Sequence, residues 1–275
     1  MNKKILKMIA LVLAIILIAG VCWMANAFVG NPVSKALATR TAENHLASEY
    51  GDTDFYIDRV FYSFKDGCYH AFILSPTSID TDFSLAINMW GKLRLDTYDS
   101  VTRGFNTGMR LNEEYRALTD QIFESNSFPY QSDICFGMLQ IESQEAIDDP
   151  DLTDIPEYAL VYEDLIIDKI YDIRELGAQA GRLCVYVDSE ELTYEIAAEM
   201  LLTIRGLFDE ANIPFRTIDF TLQHPKPEEG IRDDEFIGTG EFPYEEIYAE
   251  GMADRIKAAD EALKAYYAEQ DAKYK

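Results

Sequence analysis

The chain opens with an apolar run. Residues 8–25 are almost wholly apolar, the run continues through Asn26 to Val29, and Lys3, Lys4 and Lys7 precede it. A helix of that length can cross a hydrocarbon core of ~30 Å. After Gly30 the pattern changes to alternating and helical periods typical of a water-facing protein. Asn31-Pro32 is a helix start, an N-cap followed by Pro at the first helical position, and Ala38, Ala42, Leu46 and Tyr50 recur at helical spacing up to Gly51.

Four strands are predicted next. Residues 55–64 are rich in aromatic and branched side chains and end at Lys65-Asp66-Gly67, a hairpin turn; residues 68–74 run back. Phe83, Leu85, Ile87 and Met89 alternate with small or polar residues, Gly91 turns the chain, and Leu93, Leu95 and Thr97 continue the alternation. Period two of this kind reads as a half-buried antiparallel meander. Val101, Phe105, Gly108, Leu111, Tyr115, Leu118 and Ile122 then predict one helix, with Gly104-x-x-x-Gly108 as a close packing site. Beyond a break at 125–131, strands are expected over 134–141, 158–167, 183–187 and 215–222. Loops are expected over 142–156 and 225–240 and a short helix over 171–176. Longer helices are expected over 193–212 and 244–274. The strand–helix–strand order around 183–222 predicts parallel neighbours. The fold class is therefore α+β: a transmembrane helix over 1–29, a helix plus four-strand meander unit over 30–126, and a second α+β unit over 127–275 with a long C-terminal helix.

The leading segment sets the expected location. Its length favours a permanent anchor over a cleaved signal; Ala25-x-Ala27 leaves cleavage open, and bulky Val21 before Cys22 speaks against lipidation. The lysines before the span place the N-terminus in the cytoplasm. The expectation is a single-pass protein of the cell membrane, residues 8–29 in the bilayer and the later domains extracytoplasmic. A tail of about seven residues is too short to be a signalling domain, which needs ~50.

Charge then narrows the partners. The chain carries -25, and discounting the three lysines before the span takes the remainder to -28. Such a field opposes nucleic acid, whose binding rests on basic phosphate contacts, and it opposes anionic headgroups. High aromatic content, 17 Tyr and 15 Phe, predicts a real core rather than disorder. One pair among Cys68, Cys135 and Cys184 could form a disulfide in an oxidising compartment, leaving one over, but their spacing sets no framework and buried free thiols are the favoured reading.

Candidate chemistry is sparse. His45, His70 and His224 form no zinc motif, and Gly-x-Ser-x-Gly, Walker and dinucleotide patterns are absent. No cofactor site is expected. Cys68 and His70 share a strand face but lie too far apart for a thiol–imidazole nucleophile. Asp148, Asp149, Asp151 and Asp154 are a candidate calcium cluster through oxygen ligands, without the alternation and central Gly of an EF-hand; Asp80 and Asp82 are a smaller one. An acid pair of the glycosidase type would draw on residues distant in sequence, and nothing selects one.

Four strings carry a resemblance: Gly30-Asn31-Pro32-Val33-Ser34-Lys35, Tyr62-Ser63-Phe64-Lys65-Asp66-Gly67, Ser78-Ile79-Asp80-Thr81-Asp82-Phe83 and Phe128-Pro129-Tyr130. Together they resemble the bacterial YfjL-like proteins. The resemblance implies an N-terminal and a C-terminal YfjL-like domain after one membrane span, and it supplies no catalytic residues. The functional expectation is a membrane-anchored extracytoplasmic binding or structural module, with a membrane or envelope protein as partner. The alternative is a cell-envelope hydrolase using dispersed carboxylates.

Overall fold

The computed structural model describes residues 3–152, 155–227 and 235–273. The chain is α+β and divides into two compact units, Met1–Asn106 with Ile166–Asp168, and Thr107–Leu165 with Lys169–Lys275.

In the first unit, α1 (Lys3–Val29) has 27 residues, ~40 Å at 1.5 Å per residue. Leu11, Val12, Leu13 and Ile15 to Ile18 are all exposed, so this stretch of the helix offers bare apolar side chains on every side. Among the described residues it supplies the one stretch long and apolar enough to cross a membrane. Gly30 turns the chain at φ 73. Asn31 then caps α2 (Pro32–Glu49), its side-chain oxygen accepting the Ser34 N–H at 2.7 Å. The meander follows as β1 (Tyr56–Ser63), β2 (Cys68–Leu74), β3 (Asp82–Asn88) and β4 (Leu93–Asp96), in that spatial order and antiparallel throughout. Gly67 and Gly91 adopt left-handed φ in the two hairpin turns. Val60, Tyr69, Ala71, Ile73, Phe83, Leu85 and Ile87 alternate inward beneath α2, whose fully buried Ala38 and Ala42 let the helix lie close to the sheet.

The single helix expected from Val101 onward is two. α3 (Asp99–Thr102) stops before Gly104, which sits at φ 76, and α4 (Phe105–Phe123) starts one residue later. Gly104 is thus a break, while Gly108 is a close-packing site: a Cβ there would overlap the Tyr162 ring. The unit expected over 30–126 included this helix, but its Leu111 and Tyr115 pack with Leu139, Ile141 and Leu176 of the second unit.

In the second unit, β5 (Ile134–Leu139) and β6 (Ile141–Glu142) are separate strands. The segment expected as a loop carries α5 (Gln144–Ile147), capped by Ser143, whose hydroxyl oxygen accepts the Ala146 N–H. The strand expected over 158–167 shrinks to β7 (Leu160–Val161), parallel to β6, before a 3-10 turn. α6 (Ile173–Ala180) runs through Gly177, which is not its stop: a Cβ there would lie 2.6 Å from the Tyr115 ring and 2.7 Å from the Pro214 carbonyl. β8 (Gly181–Asp188), α7 (Tyr194–Glu210) and β9 (Thr217–Gln223) form the predicted unit with β8 and β9 parallel. β10 (Phe236–Pro243) lies partly where a loop was expected; two glycines at its bulge, Gly238 and Gly240, mask its alternation. The sheet order is β10-β9-β8-β5.

One face of this sheet, Leu183, Val185, Val187, Ile218, Phe220 and Leu222, packs with Ala197, Leu201, Ile204 and Phe208 of α7 and with Met252 and Ile256 of α8 (Met252–Lys273). α8 also seals the edge strand. Asp260, 1 % exposed, accepts the Gly238 N–H at 3.0 Å and the Lys264 ammonium at 2.8 Å, and Lys264 donates to the Phe236 carbonyl at 2.8 Å. An open β edge is a template for misassociation, and these side chains occupy it.

Candidate functional site

The strands that bury every second residue against α7 turn the other set outward. Arg182, Cys184, Tyr186 and Asp188 of β8 stand beside Thr217, Asp219, Thr221 and Gln223 of β9 in parallel register. Glu241 of β10 pairs with Asp219. The resulting face is polar and half-buried.

Arg182 organises one end of it. Its Nε donates to Asp219 Oδ2 at 2.7 Å, and its Nη1 donates to Glu241 Oε1 at 2.8 Å and to Gln140 Oε1 at 3.4 Å. The Tyr158 hydroxyl donates to Glu241 Oε2 at 3.2 Å and lies 3.1 Å from the Thr217 hydroxyl. Asp219 Oδ1 is buried and meets no hydrogen-bond donor among the described residues. Burial pushes the Asp219 carboxyl above the usual range although Arg182 pulls it down. Burial, and secondarily the Asp219 charge, push the neighbouring Cys184 thiol up to about 11, which leaves it un-ionised and unreactive at neutral pH.

The same face continues past Cys184 into a hollow of about 370 Å³, lined by Tyr186, Thr221, Gln223, Glu235, Phe236, Leu263 and Tyr267. Aromatic rings and a leucine there stand beside a hydroxyl, an amide and a carboxylate, apolar area with a few orienting polar groups as in a ligand site. The arrangement is poor for acid–base hydrolysis. Asp219 and Glu241 are both tied to one guanidinium, so neither stands opposite the other as a free acid–base pair.

The sequence-derived candidates go elsewhere. His70 Nε2 lies 2.7 Å from Asp66 Oδ2, and burial raises the Cys68 thiol. Burial alone would raise Asp66, but hydrogen bonds from His70 and the Cys68 N–H bring it below the carboxylate range. Asp148 Oδ1 accepts from the Gln144 amide at 3.0 Å, and Asp149 Oδ1 accepts the Asp151 N–H at 2.9 Å; Asp154 lies outside the described residues. Among the described residues no group of three or more His, Cys, Asp or Glu is placed to hold a metal ion. Asp80 serves a fold role: its carboxylate accepts the Asp168 N–H at 2.8 Å. Asp168, held at φ 64, accepts in return from the Ser78 hydroxyl and from the N–H groups of Ile79 and Asp80. Sequence reading missed Arg182, Asp219 and Glu241. The signal for Asp219 was present in the polar–apolar alternation of 217–223, and for Arg182 more weakly in that of 182–188; Glu241 lies in neither.

Family comparison covers both units. Residues 5–97 match the model described as YfjL-like, N-terminal domain, and residues 114–257 match the YfjL-like C-terminal domain. Comparison with curated proteins and with solved structures finds no match. With both of its domains present in order along the chain, this protein belongs to the YfjL-like family.

Proposed function

We propose that this protein is a single-pass, extracytoplasmic binding module whose ligand face is the polar side of the second sheet. The observation that carries the reading is the continuous outward face from Arg182 and Asp219 to the hollow at Tyr186, Thr221 and Tyr267. The side chains are pre-positioned by strand register and by Arg182, so binding there costs little side-chain ordering. Lys3, Lys4 and Lys7 in the first turns of α1, ahead of its apolar stretch, support a cytoplasmic N-terminus. The partner fitting this reading is a membrane or envelope protein. The hydrolase alternative draws only on the raised Asp219 carboxyl, and Arg182 between the two carboxylates weighs against it.

Affinity capture of the full chain from detergent-solubilised envelope tests the proposal, run beside Tyr186→Glu and Thr221→Arg. The same partner retained by the wild type and lost from both variants supports it. Identical profiles from all three, in folded protein, overturn it.

A further inference from the structure

The end of the meander at which α1 joins differs from the rest of the chain. Cys68 pairs with both Ser63 and Asn88, so the 64–67 and 89–92 turns sit side by side at one end of the sheet. The joint between α1 and α2 is fastened to this same end. The Tyr62 hydroxyl donates to the Ala27 carbonyl at 3.0 Å. The Tyr69 hydroxyl accepts the Asn31 N–H at 2.6 Å and donates to the Asn31 carbonyl at 2.9 Å. Phe28, at the foot of α1, meets Phe64 of the first turn with ring centroids 6.2 Å apart.

Two observations then distinguish the surface. Phe64 is 62 % exposed and Trp90, in the second turn, is 81 % exposed, the most exposed large apolar side chain among the described residues. Trp90 does not project from a slack loop: Asn88 Oδ1 accepts the N–H groups of Trp90 and Lys92, both at 3.0 Å, and fixes the turn. In addition, the three lysines of residues 30–106 all gather here. Lys65 and Lys92 are in the two turns, and Lys35 lines the hollow beside Gly30, Asn31, Tyr62 and Tyr69. Asp66, the acid of the first turn, is paired with His70. In a chain of net charge -25 this is a local reversal of sign.

We infer that the first unit seats this end on the lipid–water interface of the leaflet from which α1 emerges. Phe64 and Trp90 enter the interfacial layer, and Lys35, Lys65 and Lys92 reach its phosphates. Aromatic rings favour that layer, and lysines extend their ammonium groups to it while burying their stems. The occupant is set by the chain itself, because the apolar helix is tied by Tyr62 and Tyr69 to the same end. The net charge, which opposes anionic lipid globally, is overridden locally. The inference rests on α1 being inserted in a membrane.

The chain has two tryptophans, Trp23 in α1 and Trp90. The full chain, reconstituted in phosphatidylcholine–phosphatidylglycerol vesicles carrying brominated acyl chains, separates the two. Trp23→Phe leaves Trp90 as reporter; Trp90→Phe leaves Trp23. Quenching of both, with Trp90 emission shifted to shorter wavelength and shielded from aqueous acrylamide, is the expected result. In the Trp23→Phe background, Lys65→Glu with Lys92→Glu should then lose the Trp90 quenching, and retention of it overturns the role given to the lysines. Quenched Trp23 with water-like, unquenched Trp90 overturns the inference and leaves the anchor standing. Quenching of neither removes the anchor and the inference together.

Discussion

Replacing Arg182 by Met tests how the polar face is held. The substitution removes one guanidinium and leaves Asp219 and Glu241 without the charge that faces them. Breaking a fully buried pair costs about 3–5 kcal/mol, whereas exposed pairs are worth about 0–1 kcal/mol. Here Arg182, Asp219 and Glu241 side chains are 26 %, 22 % and 33 % exposed, between those limits. The expected loss is therefore about 2 kcal/mol after allowing for solvent screening. The assay is urea unfolding of the full chain in nanodiscs, followed by the near-ultraviolet tyrosine signal. Adding Asp219→Asn and Glu241→Gln to Arg182→Met should return more than half of the loss, because no charge then stays uncompensated. The pH dependence has a definite sign. A carboxyl raised in the folded state contributes its stability fully below the unfolded pKa, ~3.9, and loses it as pH rises through the folded value. Without Arg182 the Asp219 carboxyl rises further, so the variant's deficit grows as pH is raised from about 4 toward neutrality. A deficit under about 0.5 kcal/mol, or no recovery in the triple variant, would mean that Arg182 does not hold this face.

Four further outcomes follow from packing, hydrogen bonding and burial. Gly108→Ala forces a methyl into the Tyr162 ring and should destabilise by about 1–3 kcal/mol. Gly206→Ala meets nothing within 4 Å inside α7 and should stabilise by about 0.5–1 kcal/mol; the same denaturation curves check both. Asp168→Ala removes the acceptor of the Ser78, Ile79 and Asp80 donors and places a Cβ without a polar tip at φ 64. Asp168→Gly should be the milder change by about 1 kcal/mol, since glycine carries no left-handed penalty. Cys184, with its thiol raised to about 11, should react with iodoacetamide at pH 8 roughly a hundredfold more slowly than free cysteine, read by peptide mass spectrometry.

The two sheets were not equally legible. In the first unit each strand lies between a hairpin glycine and an alternating run, so 68–74 is recovered to the residue and the antiparallel order in full. Local signals sufficed because every pairing joins neighbours in sequence. In the second unit the pairings of β5 with β8 and β10 with β9 bridge longer separations, and composition misleads. Gly238 and Gly240 made β10 look like a loop, and Gly177 looked like a helix stop although it is small to admit Tyr115. The long apolar stretch after Tyr158 suggested a strand, but Tyr162 and Leu165 pack around Leu111 and Tyr115 instead of joining a sheet. The candidate site suffered for the same reason. Arg182, Asp219 and Glu241 are distant in sequence and are brought together only by strand register, whereas conspicuous acidic runs such as 148–151 are used in local turns.

Anchoring of both YfjL-like domains to a membrane by α1 is put to the test by the intact mass of the protein from a carbonate-washed membrane fraction. A chain that retains Lys3, Lys4 and Lys7 with the rest of α1 is the expected result. A chain in that fraction beginning at Phe28, cleaved after Ala25-x-Ala27, would contradict it.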